Sequence, residues 1–203
     1  MIDYSKYKLS FLVGGLYYNE SIVLASLYKQ LNDWKLVRKE ALDNNLLQTR
    51  MQSSSKRMVS EILNKLMLLD DNELDFLING KEQDQKLLLW IATCRRYTFI
   101  KDFSIEVLIY NYQNLKKIVN KDEFDIFFNQ KSLTHPELDK ITELTRNKLR
   151  SVMFKNMREA GLIDNKGIII PAFPSNELIT LLKDTSSEDL CILPISNIIG
   201  DRL

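Results

Sequence analysis

The chain has 203 residues, which is enough for one large domain or for two small domains that share a core. Hydrophobic residues make up 45% of it and charged residues 27%, with six glycines and four prolines, so the composition excludes a disordered chain and favours regular structure. The formal net charge of +1 excludes a uniformly basic nucleic-acid binder, so any contact with a polyanion must rest on local charge.

Four helices are predicted in the N-terminal third, because apolar residues recur there at intervals of three and four. Their predicted bounds are 19–31, 34–44, 53–69 and 73–78. Asn19 is expected to cap the first helix, three serines ending at Ser55 the third, and the pair Asp70-Asp71 the fourth. A short apolar segment precedes them, and the first ten residues lack the apolar run of a secretory leader. These elements form a predicted unit over 1–80, for which a helix-turn-helix-like arrangement is one hypothesis.

The middle of the chain, 81–130, is its most apolar part and is expected to lie in the core. Two helices are predicted between 82 and 120 with a break at 101–104, followed by a short helix over 122–129. Six aromatic side chains here are predicted to be core residues: Trp90, Tyr97, Phe99, Phe103, Tyr110 and Tyr112. Cys94 is interpreted as a small core residue without a disulfide to Cys191.

The last predicted unit, 131–203, has the element order of a winged helix-turn-helix. A short helix over 137–142 is followed by a turn and by a longer helix that Thr145 caps and Gly161 ends. Two apolar segments around the polar turn 164–167 predict a small β-hairpin, the wing, and a closing helix follows. The expected fold class is therefore mainly α, a multi-helix protein with a C-terminal winged helix-turn-helix in one compact body.

The longer helix of this unit carries a local excess of positive charge. Positions 140–158 include six basic residues and one acidic residue, a net charge of +5, whereas 66–84 carries a net charge of −5. The face opposite the buried side is therefore expected to contact phosphates and base edges of duplex DNA. The candidate contact residues are Arg146, Asn147, Lys148, Arg150, Ser151, Lys155, Arg158 and, at the wing tip, Lys166. The alternative interpretation is a solvated face on a purely structural winged helix.

A second candidate contact surface lies at the start of the third predicted helix. Hydroxyl groups and cations there accompany free backbone N–H groups, and helix N-termini attract phosphates. The residues are Lys35, Arg38, Arg50, Ser54, Ser55, Lys56 and Arg57. The alternative interpretation is an ordinary serine cap with surface cations around it.

No catalytic or metal-binding set is recognised in the sequence. His135 is the single histidine and is expected to cap a helix or lie at the surface, so hydrolase machinery would depend on it alone. Two distant cysteines and one histidine do not make a standard zinc site, and Gly14-Gly15 has no lysine at P-loop spacing. We therefore expect a protein that is not an enzyme and that binds no cofactor, metal or small-molecule substrate.

Four stretches resemble the BrxA family, small accessory proteins of bacterial BREX phage-exclusion systems. They are LSFLVGGLYYNESIVLASLY, SSSKRMVSEILNKL, YTFIKDFSIEVL and LRSVMFKNMREAGLI, and the similarity runs from 9 to about 170. The resemblance implies a helical, non-enzymatic member of a multi-protein antiviral system that marks host DNA by methylation and blocks phage replication. It also implies an association with double-stranded DNA and a likeness to helical RNA-binding antitermination factors. No contact residue is carried over from the family.

Three functional hypotheses remain open at this point. The leading one is a double-stranded DNA-binding accessory protein of phage defence. The second is an assembly adaptor that uses the acidic segment 66–84 to recruit another defence protein, such as a methyltransferase. The third is binding to structured RNA. No membrane partner is expected, because the longest apolar runs are far shorter than the ~20 residues of a bilayer span, so a cytoplasmic protein is predicted.

Overall fold

The computed structural model describes residues 6–11 and 14–195. Leu12 and Val13 of the predicted apolar segment, and the outer ends of the first and last predicted units, lie outside these ranges. The described part is mainly α-helical, as predicted. Its α-helices are α1 (Tyr18–Leu31), α2 (Trp34–Asp43), α3 (Gln52–Leu66), α4 (Asp71–Asn79), α5 (Glu82–Arg96), α6 (Thr98–Phe103), α7 (Tyr110–Gln113), α8 (Lys121–Ser132), α9 (Glu143–Glu159) and α10 (Asn176–Ser186). A π-helical segment, Ser104–Ile109, joins α6 to α7, and a 3₁₀-helical segment, Ser187–Ile192, follows α10. Within 6–11 and 14–195, no helix combines the length and the apolar character needed to cross a bilayer.

Local capping explains several helix starts. The carboxylate of Asp70 accepts the N–H of Glu73 at the start of α4, as the sequence predicts, and the two residues form a capping box. At α9 the cap is Thr142, whose hydroxyl accepts the N–H of Thr145, so Thr145 lies inside the helix and the prediction that it is the cap is wrong. The helix begins earlier than predicted because Thr142 has the extended backbone that an N-cap requires.

The centre of the core is aromatic. Buried apolar side chains form one contiguous cluster that draws on all three predicted units. The ring of Phe99 packs against five other rings at centroid distances of 5.2 to 6.1 Å: Tyr7, Phe11, Phe124, Phe127 and Phe128. The predicted core positions of Trp90, Tyr97, Phe99 and Phe103 are confirmed, and Tyr112 is partly buried.

Tyr110 was predicted to be a core residue, but its side chain is 60% exposed. The π-helical segment Ser104–Ile109 ends immediately before it. A π-helical turn holds more residues than an α-helical turn, so it rotates the helical face that follows. The apolar spacing of the sequence cannot reveal this rotation.

The break in the central helices lies at Tyr97 and not at 101–104, where it was predicted. The backbone of Tyr97 is extended, with φ −125° and ψ 93°. Its hydroxyl donates a hydrogen bond of 2.6 Å to Glu61 on α3. This contact joins Tyr97 to a distant helix. The apolar pattern of α5 and α6 continues through Tyr97 without interruption, so it does not reveal the break.

The predicted helix over 137–142 is absent, and this stretch forms turns. The N–H of Leu138 donates to the carbonyl of His135, and that of Ile141 donates to the carbonyl of Leu138. His135 was expected at a cap or at the surface, but it is 8% exposed. Its ring stacks on Tyr7 with 4.0 Å between centroids. The N-terminal segment therefore covers this histidine, an arrangement that the local sequence does not encode.

No β-strand forms within the described ranges, so the predicted hairpin is reduced to isolated bridges. Ile163 pairs with Ile169 in antiparallel fashion, as does Ile118 with Ile168. Gly161 has the left-handed φ of +76° that was predicted for the residue after α9. The pairing cannot extend far, because Pro171 follows at once and has no N–H to donate.

Two helices hold the N-terminal segment just before α1. Lys65 of α3 is 1% exposed, and its Nζ donates to the carbonyls of Gly15 at 3.4 Å and Leu16 at 3.2 Å. Glu159 of α9 accepts the N–H of Leu16 at 2.6 Å. We call these four residues the Lys65 clasp. No carboxylate within the described ranges forms an ion pair with this ammonium, and burial lowers the pKa of Lys65 to about 8.

The Lys65 clasp predicts an unusual dependence of stability on pH. The native protein loses the Lys65 proton near pH 8, whereas the unfolded chain keeps it to about pH 10.5. Since the unfolded state then binds more protons at this group, Lys65 is expected to contribute a rise of about 2 kcal/mol to the free energy of unfolding between about pH 8 and pH 10, offset in part by Cys94, Tyr17 and Tyr97, whose pKa values burial raises. The variant Lys65→Met, which has no group to titrate, should lack this rise. Urea unfolding of both proteins across this range measures the difference, and parallel pH profiles would contradict the expectation.

Candidate nucleic-acid interface

The predicted contact residues of α9 face in two different directions. Its buried side is as predicted, with Leu149, Val152, Met153 and Met157 in the core. Lys148, Ser151 and Lys155 are exposed and follow one outward line, three and then four positions apart. Arg146 and Arg150, in contrast, are turned towards α8.

Arg146 and Arg150 form ion pairs with Asp125 of α8. The Nε of Arg146 donates to Asp125 at 2.9 Å and its Nη1 donates to Asn129 at 2.8 Å, while Arg150 binds the second carboxylate oxygen of Asp125. The Arg146 guanidinium also lies over the ring of Phe128, 4.4 Å from its centroid. The two arginine side chains are 22% and 19% exposed. Their donors are engaged inside the protein, which corrects the expectation that both face a duplex.

The remaining candidates of the last unit are dispersed. The side-chain oxygen of Asn147 accepts from Arg150 at 2.7 Å, so this amide belongs to the same network. Lys166 is exposed on the turn 164–167. Arg158 is half-buried near the end of α9, where it lines a cavity together with Lys155. The structure therefore leaves a narrower basic stripe on α9 than the net charge of its sequence indicates.

The second predicted surface keeps its cations free. Six basic side chains on α2, on α3 and between them are exposed, and none forms an ion pair within 6–11 and 14–195. We call them the α2–α3 patch: Lys35, Arg38, Lys39, Arg50, Lys56 and Arg57. The two helices pack against each other, and Nη1 of Arg38 lies 3.5 Å from the hydroxyl of Ser60 on α3. Positions 34–60 contain two acidic residues, which leaves a net charge of +4.

The serines at the start of α3 are not its cap. Met51 occupies the N-cap, and no side chain accepts a hydrogen bond there. Ser53 and Ser54 are exposed in the first turn beside Lys56, where a phosphate oxygen could reach their hydroxyls. Ser55 is 4% exposed and faces the core, so it is not available as the contact residue that was predicted.

Two of the six acidic side chains of the segment 66–84 are buried, and most of the six have a partner in the protein. Glu73 is 1% exposed and binds Arg95 at 2.6 Å, and Asp84 accepts the N–H of Ser175 at 3.0 Å. Five of the six acidic side chains cap a helix, form an ion pair or accept a backbone N–H: Asp70, Glu73, Asp75, Glu82 and Asp84. The segment therefore offers an adaptor much less free negative charge than its sequence indicates.

Potential metal ligands and cysteines are dispersed in the part of the chain that the structure describes. No group of histidine, cysteine, aspartate and glutamate residues there is arranged to hold a metal ion. Both cysteines are free; Cys94 is buried, as predicted, and Cys191 is exposed.

Comparisons with known proteins agree on one family. A family model described as BrxA matches residues 5–186. A relative from Escherichia coli named "BREX protein BrxA" is 27% identical over 165 residues, which cover 81% of this chain and 78% of that protein. A second, from Bacillus cereus and with the same name, is 23% identical over 146 residues, 72% of this chain and 71% of that protein. A crystal structure of an uncharacterized protein from Magnetospirillum magneticum has a TM-score of 0.79 at 20% identity and shares the fold over 93% of this chain and 99% of that chain.

Proposed function

Because the chain belongs to the BrxA family, we propose that it is a BREX phage-defence protein that binds double-stranded DNA and catalyses no reaction. Two relatives carry the name of that system. The observation that carries the DNA-binding part of the proposal is the α2–α3 patch, with six exposed cations and no ion pair among the described residues. Cations that no internal carboxylate neutralises are the ones that displace counterions from a phosphate backbone.

The α2–α3 patch favours a rigid, multivalent contact. Its cations lie on two packed helices, so ordering them at a duplex costs less conformational entropy than ordering a flexible tail. The exposed hydroxyls of Ser53 and Ser54, in a first turn that no side chain caps, add neutral donors for phosphate oxygens. These groups position a protein on DNA without reading its sequence.

Charge reversal within the patch is the direct test. We expect the variant Arg38→Glu, Lys56→Glu, Arg57→Glu to lose detectable binding to a short labelled duplex, measured by fluorescence anisotropy. For the unmodified protein, affinity should fall linearly with salt on logarithmic axes. Each single reversal should make that slope shallower by about one, because one phosphate contact is lost.

Lys81→Glu is the matched control for the single reversals. Lys81 is exposed at the start of α5, outside the patch, and the substitution changes the net charge by the same amount. Its duplex affinity should stay close to that of the unmodified protein. Equal losses of duplex affinity in Lys81→Glu and Arg57→Glu would show that binding does not depend on a defined surface. The absence of duplex binding by the unmodified protein at low salt would reject the proposal.

We also propose a second contact through α9, in a winged helix-turn-helix whose supporting helix is α8. The order of α8, α9 and the bridged turn supports this, as does the pairing of Ile118 with Ile168 beside that turn. In this arrangement Lys148, Ser151 and Lys155 face the duplex and Lys166 lies near its backbone. Arg146 and Arg150 then position α9 on α8.

The two groups of α9 cations can be separated experimentally. Lys148→Glu combined with Lys155→Glu is expected to weaken duplex binding by about tenfold or more. Arg146→Gln should leave the affinity nearly unchanged and lower the free energy of unfolding by about 1–3 kcal/mol, because Asp125 and Asn129 lose a donor. Anisotropy and urea unfolding on the same samples measure both effects. A large loss of affinity in Arg146→Gln at unchanged stability would instead make Arg146 a DNA contact.

Structured RNA and a protein partner are the competing assignments. An unlabelled RNA hairpin with the same number of phosphates is added to the complex of the protein with the labelled duplex. The concentration of hairpin that displaces the duplex shows which nucleic acid the protein prefers. A preference for the hairpin would move the proposal to RNA. Co-purification with another defence protein that survives high salt, without duplex binding, would favour the adaptor.

A further inference from the structure

A cleft separates the end of α9 from the first turns of α5. Two adjoining cavities of about 460 and 490 Å³ share Lys86, Arg158 and Glu159. The first is closed by the chain that follows the bridged turn, 170–173, and the second by the start of α1. We call the two cavities together the α5–α9 cleft.

Arg158 is the unusual residue of this cleft. It is half-buried and lines both cavities, yet its guanidinium makes no hydrogen bond or ion pair with any residue in the described ranges. The neighbouring cations are engaged: Lys86 with Glu82 at 2.5 Å, and Lys155 with Glu159 at 3.6 Å. Because no acceptor among the described residues holds this guanidinium, it can form charge-assisted hydrogen bonds with an acceptor from outside the protein.

The wall beside Arg158 is apolar and exposed. The side chain of Phe173 is 61% exposed and that of Ile170 is 40% exposed, and Pro171 lies between them in the chain. Burying such side chains against an apolar partner is favourable. The cleft therefore offers a free cation next to an apolar surface.

The charges around the cleft select against a polyanion. Glu20, Glu82 and Glu159 line it and offset its three cations. A run of phosphates would meet these carboxylates at short range, whereas one carboxylate can pair with Arg158 and avoid them. We propose that the α5–α9 cleft binds an extended segment of a partner protein that carries one carboxylate next to bulky apolar side chains.

The test uses a minimal peptide probe on the full chain. Acetyl-Leu-Asp-Leu-amide is titrated into ¹⁵N-labelled protein and compared with acetyl-Leu-Asn-Leu-amide. The aspartate peptide is expected to shift the amide signals of Arg158, Gly161 and Phe173 and to bind about tenfold more tightly than the asparagine peptide. Arg158→Gln should remove this preference for aspartate, while Phe173→Ala should weaken both peptides to a similar extent.

The controls separate this site from the duplex contact. Both cleft variants should keep the duplex affinity of the unmodified protein, so the peptide site and the DNA site can fail independently. Equal binding of the two peptides, or the absence of saturable shifts at the cleft, would overturn the proposal. Stronger shifts at these amides with inorganic phosphate or a mononucleotide would overturn it in favour of a phosphate ligand.

Discussion

Replacing Arg95 by alanine is expected to lower the free energy of unfolding by about 3–5 kcal/mol, because two buried carboxylates would lose their shared cation. Arg95 binds Glu73 at 2.6 Å and Asp189 at 2.7 Å, and these acids are 1% and 3% exposed. Its Nη1 also donates to the carbonyl of Leu68 at 3.0 Å. One side chain thus ties α4 and the 3₁₀-helical segment to α5. Urea unfolding at neutral pH measures the loss.

Arg96→Ala is the matched control for this prediction. Arg96 is the next residue of the same helix, its guanidinium lies 5.8 Å from the centre of the Tyr97 ring, and it forms no ion pair with a described residue. We expect its replacement to cost about 1 kcal/mol, the scale of a partly exposed cation–π contact. Similar losses of unfolding free energy in the two variants would mean that burial of Glu73 and Asp189 does not require the charge of Arg95.

Truncation of Phe99 to alanine is expected to lower the free energy of unfolding by about 3–5 kcal/mol, the usual range for a buried phenylalanine. Its ring contacts rings from the N-terminal segment and from α8, including Tyr7 and Phe127. The cavity would open where these elements meet, and a close-packed core fills such a space only in part. Urea unfolding gives the loss, and the near-ultraviolet circular dichroism should weaken because fixed aromatic packing is reduced.

Tyr110→Ala is the control for Phe99→Ala. The two residues belong to the same helical run, but Tyr110 is 60% exposed and follows the π-helical segment. Its removal should change the free energy of unfolding by about 0.5 kcal/mol or less. A small loss in Phe99→Ala would mean that the neighbouring rings collapse into the vacated space.

Local rules predicted those parts of the fold that local contacts determine. The cap at Asp70 and the left-handed Gly161 follow from residues within one turn of each helix end. Some errors are local, such as the cap at Thr142 and the π-helical turn before Tyr110, but others involve contacts between distant parts of the chain. Tyr97, at the helix break, is bonded to Glu61, and the turns over 137–142 are tied to the N-terminal segment where Glu137 accepts the N–H of Tyr7. Apolar spacing carries no information about such partners.

The candidate interface shows the same limit more sharply. The number of cations on α9 can be read from the sequence, but which of them form ion pairs with carboxylates inside the protein cannot. Arg146 and Asp125 lie 21 positions apart and meet only because the fold brings these parts of α8 and α9 together. On α2 and α3 the nearby acids, Glu40 and Asp43, form no ion pair with the patch. The α2–α3 patch, which the sequence supports less strongly than α9, therefore presents more cations without an ion pair in the described part of the folded protein than α9 does.

The hydrogen bond from Leu16 to Glu159 joins positions 143 residues apart. On a ribosome that adds about 5–20 residues per second, the backbone group near the start of the nascent chain waits roughly seven to thirty seconds for its acceptor to be synthesised. Lys65 lies 50 and 49 positions after the two carbonyls that it binds, so its contacts need much less of the chain. The Lys65 clasp can therefore be completed only after α9 has been synthesised.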